Sequence, residues 1–300
     1  MKKILITGSS GTIGTRLFET LLASGYDVIG FDKRKNSWHT SLNKLTLIGN
    51  LLNKNDLKKI PKDIDLIVHF AANARVYDLV VRPDLALENV ISTHNVLEFA
   101  RKNNIKKIIF SSSRETYGNK KEITSKETEV DILRCESPYA ASKISDEALI
   151  YAYSKCYGIE YVVCRFSNVY GMYDKSNRFI PLLLRKMGKN EDIEIFGAGK
   201  VLDFTYIDDC VGGIIACIEK FDIVKNNTFN IASGKGANLI DVAKMMKKSL
   251  NSKSLLKIGK NRAGEVVRYV ADISKAKKML NYAPKIFINE GIKKSISWYA

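Results

Sequence analysis

Apolar positions in the first half of the chain fall in short runs separated by glycine and polar turns. Ile4-Leu5-Ile6, between Lys2-Lys3 and Thr7, reads as a short buried strand that runs into Gly8-Ser9-Ser10-Gly11-Thr12-Ile13-Gly14. A helical period then passes through Leu17, Leu21 and Leu22, and Gly25 stops it. A second strand pattern covers Asp27 to Phe31 and ends at Asp32. Further strand patterns at Leu45 to Ile48, Asp65 to Phe70, Lys107 to Phe110 and Tyr161 to Phe166 alternate with helical stretches. That alternation predicts an α/β fold, a parallel sheet with helices on both faces. At 300 residues the chain can bury a large core, and no linker-like stretch, repeat or low-complexity tract divides it.

Composition changes this picture little. The net charge of +16 raises the question of a nucleic-acid or membrane partner. The lysines are spread along the chain (Lys58-Lys59, Lys106-Lys107, Lys120-Lys121, Lys247-Lys248) and no aromatic-interleaved basic motif goes with them. A solvated surface that mildly attracts anionic substrates is the expectation, with neither nucleic acid nor membrane as partner. Five cysteines without a close pair and three scattered histidines support neither a disulfide framework nor a metal site. Reduced thiols suggest the cytoplasm. The longest apolar stretches, such as Leu66 to Ala72, are too short to cross a bilayer.

Three segments carry chemistry. Gly8, Gly11 and Gly14 sit between a strand and a helix, where glycines permit a tight turn and close backbone approach to a pyrophosphate on the helix N-terminus. Asp32, ending the next strand, is placed to take the adenosine ribose hydroxyls. The segment Phe110-Ser111-Ser112-Ser113-Arg114-Glu115 follows a strand pattern, so Ser113 is expected to project into the ligand crevice. In Pro138-Tyr139-Ala140-Ala141-Ser142-Lys143, Tyr139 and Lys143 lie one helical turn apart on the same face. A phenol ordinarily loses its proton near pH ~10, and a fixed ammonium beside it should move that toward neutrality, which suits proton removal from a hydroxyl.

With these segments in view, the sequence resembles the extended short-chain dehydrogenase/reductase family, in particular the nucleotide-sugar epimerases and dehydratases typified by UDP-glucose 4-epimerase. The likeness extends over nearly the whole chain, through Val68-His69-Phe70-Ala71-Ala72, Asn89-Val90, Cys164 to Gly171, Phe196-Gly197-Ala198-Gly199, Asp203-Phe204, Tyr206 to Asp209 and Phe229 to Gly234. It implies a Rossmann-type doubly wound sheet with a smaller, interleaved C-terminal substrate lobe. Residues 1–169, with 206–232 returning to them, would form the NAD-binding domain; 170–205 and 233–300 would form the lobe. A homodimer is implied, built on the helix carrying Tyr139 and Lys143 and the helix from about Asn89 to Asn103, although a face such as Ala148, Leu149, Ala152 and Tyr153 would equally serve the protein's own core.

The resemblance also implies roles. NAD would be held by Gly8, Gly11, Thr12, Ile13, Gly14, Asp32, Lys33, Asn50, Leu51, Phe70, Ala71, Ala72, Ala74, Asn89, Ser111, Tyr139, Lys143 and Phe166. Asp32 favours NAD, while Lys33-Arg34 could accept the extra phosphate of NADP. Tyr139 would be the base, Lys143 would hold the nicotinamide ribose and keep the phenol ionised, and Ser113 would orient the sugar hydroxyl. Substrate contacts fall on Ser113, Asn168, Arg178 and Arg262; Lys200 or Arg268 would stand in for an arginine that the family usually places where this chain has Leu202. Arg114 occupies a position where the dehydratases carry a proton donor, and a guanidinium is a poor one. Epimerisation of a nucleoside-diphosphate sugar at C4, of the UDP-glucose/UDP-galactose type, is therefore expected before 4,6-dehydration or uronate decarboxylation. Glu115 keeps those open, as proton carrier or as Arg114's ion-pair partner. A non-catalytic nucleotide-binding protein is the remaining alternative.

Overall fold

The computed structural model describes residues 2–299. Its main sheet has seven strands: β1 (Lys3–Thr7), β2 (Asp27–Asp32), β3 (Thr46–Ile48), β4 (Leu66–His69), β5 (Lys107–Ser113), β6 (Glu160–Phe166) and β7 (Asn227–Ile231). All pairings are parallel, in the order β7-β6-β5-β4-β1-β2-β3. This is the parallel sheet that the alternation predicts, in the doubly wound, Rossmann-type order that the resemblance implies. The central strands are apolar on both faces because helices cover both. Ile4, Ile6, Val68, Ile109 and Val162 enter one apolar layer, and Leu5, Ile67, Ile108, Phe110 and Val163 enter the other.

Several strand ends differ from the sequence expectation, β4 and β6 by single residues. β3 starts at Thr46, because Thr40–Leu45 winds into a 3₁₀ turn. β5 continues through the serines, since Ser111, Ser112 and Ser113 pair with Cys164, Arg165 and Phe166 of β6. Ser113 thus sits at the last residue of a paired strand and its hydroxyl caps the following turn, Arg114–Tyr117.

Beyond the main sheet, Val201–Tyr206 is flanked by Gly236–Asn238, by Arg268–Ala271 and, further along, by Asn168–Tyr170. A separate parallel pair joins Ile193–Phe196 to Leu256–Gly259.

The helix Pro138–Tyr157 carries the Tyr-Lys pair. Ser137 starts it by accepting a hydrogen bond from the Ala140 amide (3.1 Å), proline suits its first turn, and Gly158 ends it with a left-handed φ of 67°. A buried polar network ties this helix to the sheet. Arg165 on β6 grips Glu147 with two prongs, Nε to Oε1 at 2.9 Å and Nη2 to Oε2 at 2.7 Å, and donates from Nη1 to Tyr117 Oη (3.1 Å). Tyr117 donates onward to Asn230 of β7 (2.6 Å), and Ser112 of β5 donates to Glu147 (2.5 Å).

Candidate active site

Strand order reverses between β1 and β4, and in a doubly wound sheet the carboxyl ends at such a point open a ligand crevice. Gly8 turns the chain there with φ 73°, and a Cβ on it would lie 2.7 Å from the Ala71 amide nitrogen. Only glycine lets the two strand ends close this tightly. A Cβ on Gly14 would lie 2.2 Å from the Gly8 carbonyl oxygen. The helix Thr12–Ala23 starts at Gly11 with no side-chain cap, so its first N–H groups keep the capacity to bind an anion. Asp32 is held in place by the amides of Ser10 (3.0 Å) and Arg34 (2.9 Å), with Lys33 and Arg34 exposed beside it.

From this turn a cavity of about 780 Å³ extends across the carboxyl ends of the strands, large enough for a cofactor-sized ligand. Every residue singled out from the sequence lines it except Arg268. Arg268 starts a strand in which Tyr269 and Ala271 point inward, so the two-residue alternation turns its own side chain to solvent. Lys200 reaches the wall, but its ammonium is paired with Glu265, so neither residue is a free substitute for an arginine at Leu202.

Near Asp32, the Asn50 side chain accepts from the Leu52 amide (3.1 Å), and Leu51 offers its carbonyl to Asn95 (2.8 Å). Phe70, Ala71, Ala72 and Ala74 form the wall after β4. Asn89 braces that wall: its amide accepts from Asn73 N (2.7 Å) and donates to Asn73 O and Ser142 Oγ (both 3.1 Å).

Tyr139, Lys143 and Ser113 are all buried at the end of β5. Lys143 Nζ donates to the Ser111 carbonyl (2.9 Å). Burial pushes the Tyr139 phenol up from its ordinary value; the Ser113 hydroxyl and the Arg178 charge draw it down, and Glu115 and Asp146 raise it. The net direction is opposite to the sequence expectation. Desolvation outweighs the nearby cations, and Lys143 directs its ammonium to a backbone carbonyl.

Arg114 and Glu115 form a buried ion pair, Nη2 to Oε1 at 2.7 Å. Arg114 Nη1 and Glu115 Oε2 have no hydrogen-bond partner. Burial pushes the Glu115 carboxyl up, opposed by Arg114 and reinforced by Glu265. Farther along, Asn168 donates to the Asp203 carbonyl (3.0 Å) and Phe166 closes the wall. Arg178 lies 3.7 Å from Asp174 and donates to the Ala74 carbonyl (3.3 Å). The Arg262 guanidinium is clasped by aromatic rings, 3.7 Å from the centre of Phe196 and 4.9 Å from that of Tyr77. Among the described residues no carboxylate lies within 4.0 Å of it. Tyr77 and Asn73 escape the sequence reading, because neither falls in a periodic or motif-like context.

Among the described residues no His, Cys, Asp and Glu cluster could hold a metal ion, and no helix is long and apolar enough to cross a membrane.

A glycine turn beneath an uncapped helix, a carboxylate ending β2 and a Ser-Tyr-Lys group ending β5 define a short-chain dehydrogenase/reductase fold. The model of the NAD dependent epimerase/dehydratase family matches residues 4–232, and the chain belongs to that family. It is 31% identical to the UDP-glucuronate 4-epimerase of Thermodesulfobacterium geofontis, over 98% of this chain and 95% of that protein. The crystal structure of UDP-glucose 4-epimerase from Thermotoga maritima with UDP-glucose superposes with a TM-score of 0.90 at 29% identity, covering 99% of this chain and 98% of that one. UDP-glucuronic acid 4-epimerase from Bacillus cereus, in complex with UDP-glucuronic acid and NAD, gives 0.90 at 30% identity with the same coverage.

NAD is the cofactor, and the site fits it. The glycine cradle at Gly8 and Gly14 would be filled by any Cβ, and Asp32 stands at the strand end where a ribose is gripped. Asp32→Ala should weaken NAD roughly ten-fold or more, because charge-assisted bonds of about 1.5–3 kcal/mol are lost, and should narrow the preference over NADP. Calorimetric titration of cofactor-stripped protein checks this: equal or tighter binding of NADP by the wild type would assign selection to Lys33 and Arg34.

Proposed function

We propose that the protein inverts the 4-hydroxyl of a UDP-hexose, interconverting UDP-glucose and UDP-galactose through a transient 4-keto sugar. The observation that carries this reading is the convergence of Ser113, Tyr139 and Lys143 at the end of β5, in one cavity with the aromatic-clasped, carboxylate-free Arg262.

Bound NAD supplies the hydride acceptor and donor. Tyr139 Oη takes the proton of the sugar hydroxyl and later returns it. Ser113 Oγ shares a hydrogen bond with that oxygen, and the Ser113 and Arg178 contributions that lower the Tyr139 pKa favour its ionised form. Lys143 adds a fixed positive charge and a donor for the nicotinamide ribose. Arg262 neutralises the diphosphate, stiffened by Phe196 and Tyr77, with Asn168 and Arg178 as further contacts. Lys200 acts through its pair with Glu265 in the wall.

The Arg114–Glu115 pair governs the choice of reaction. Loss of water needs a donor for the departing hydroxyl, and Arg114 cannot serve as one. No 4-keto-6-deoxy sugar should form from any nucleotide hexose, and no solvent deuterium should enter at C5 or C6, as read by NMR. One observation favours a second reading, dehydration or uronate decarboxylation: Glu115 is buried with one oxygen unpartnered and its pKa raised, so it can carry a proton. Incubation with UDP-, GDP- and dTDP-sugars, uronates included, tests the set. Inversion supports the proposal; water loss or CO₂ release replaces it. No turnover of any of these sugars would leave a non-catalytic nucleotide-binding protein.

In this reading the enzyme works as a cytoplasmic homodimer. The support is an exposed face with Leu87 and Ile91 on the helix Asp84–Lys102 and Ala141, Ala148 and Ala152 on the helix Pro138–Tyr157, two helices packed side by side.

A further inference from the structure

Beside Lys143 lies a carboxylate that the mechanism above leaves unused. Asp146 is 1% exposed, one turn along the same helix. Its Oδ2 is 3.9 Å from Lys143 Nζ, and among the described residues no other carboxylate lies within 4.0 Å of that ammonium. Neither Asp146 oxygen has a partner in hydrogen-bonding geometry. Thr93, on the facing helix, comes near enough to draw the acid's pKa down, and its hydroxyl also meets His69 Nε2 at 3.2 Å. An unsatisfied acid in such a place costs stability, which a purely structural residue would have no reason to impose.

We propose that Asp146 is a positioning residue that holds the Lys143 ammonium against the Ser111 carbonyl and sets the charge balance of the Tyr139–Lys143 pair. This rests on the reading of that pair as the proton-transfer machinery.

The groups around it fix the sign. From its own helix Asp146 meets Lys143 and Glu147, and the latter is neutralised by Arg165. From β4, His69 is fully buried, its pKa depressed to about 3 by burial and by Lys143, so it stays neutral and contributes no charge at working pH. Burial pushes Asp146 up to about 6, against the pull of Lys143 and Thr93. Ionised Asp146 raises the pKa of Lys143 and of Tyr139. Removing its charge moves both ionisations to lower pH, so the whole activity profile should slide toward acid. A folded-state pKa above the unfolded one means that this group's stabilising contribution is present at low pH and is lost as pH rises through about 6.

Asp146→Asn tests this with three readouts. The ratio of variant to wild-type turnover should rise about three-fold or more between pH 8.5 and pH 6. The melting-temperature difference, variant minus wild type, should increase from pH 4 to pH 7 and then level off. NAD titrated by calorimetry at pH 8 should bind about two-fold or more weaker as Lys143 loses its anchor. Parallel melting curves with superimposable pH profiles would overturn the proposal. If no sugar is turned over, the failure belongs to the proposed function, and the melting and NAD curves still decide the role of Asp146. Asp146→Ala provides the same melting and binding comparison if the asparagine variant folds poorly.

Discussion

Tyr139→Phe should lower turnover by about 10²–10⁴-fold while NAD stays bound. The ring is buried beside Leu79 and Ala86, and phenylalanine keeps those contacts. What disappears is the phenol proton beside the Ser113 hydroxyl. Turnover of the UDP-sugar, assayed beside the NAD content of purified protein, separates the two effects. A variant near the wild-type rate would remove Tyr139 from the mechanism. A variant that loses NAD as well would show that the phenol is needed for the fold of the site.

The second large effect is on stability. Arg165→Met should cost about 3–5 kcal/mol, because it strands the Glu147 carboxylate in the core without its two-pronged partner. Despite burial, Arg165 and the hydroxyls of Ser112 and Tyr151 hold Glu147 below its ordinary pKa. That stability is therefore present above the unfolded carboxylate range and lost as pH falls through the folded value. Tyr117→Phe, which removes only a hydroxyl from the same network, should cost about 1 kcal/mol. Denaturant midpoints give the comparison. Equal losses from the two variants would mean that the ion pair contributes no more than one neutral hydrogen bond.

The parts of the site that were legible in the sequence are those whose chemistry needs fixed local spacing. Gly8 and Gly14 are demanded by a backbone crossing within one turn, and Tyr139 with Lys143 by one turn of helix. Ser113 was legible from its place after a strand pattern, although the strand runs farther than its apolar residues do, since pairing with β6 carries the serines along. The substrate side is harder to read, because its geometry joins distant segments. Tyr77, Phe196 and Arg262 meet only in the folded chain. Arg268 looked as available as Lys200 to stand in for an arginine at Leu202, and strand alternation decided against it. Lys200 looked free because nothing in its neighbourhood announces Glu265. The direction of the Tyr139 shift was missed for a related reason: a sequence shows which charges are near but not how much water has been taken away.

The position of β7 bears on how the protein is made. During synthesis β6 leaves the ribosome long before its outer neighbour, and residues 167–226 must follow before Asn227–Ile231 can pair with it. Until then Tyr161, Val163 and the rest of β6 present an open sheet edge, the kind of surface that recruits another chain. Arg165 waits in that interval too, since the Tyr117–Asn230 link that completes its network arrives with the same late strand. A nascent chain stalled before residue 227 is thus a nearly finished sheet with an adhesive border, and expression of such a fragment should yield aggregates where the full chain yields soluble protein.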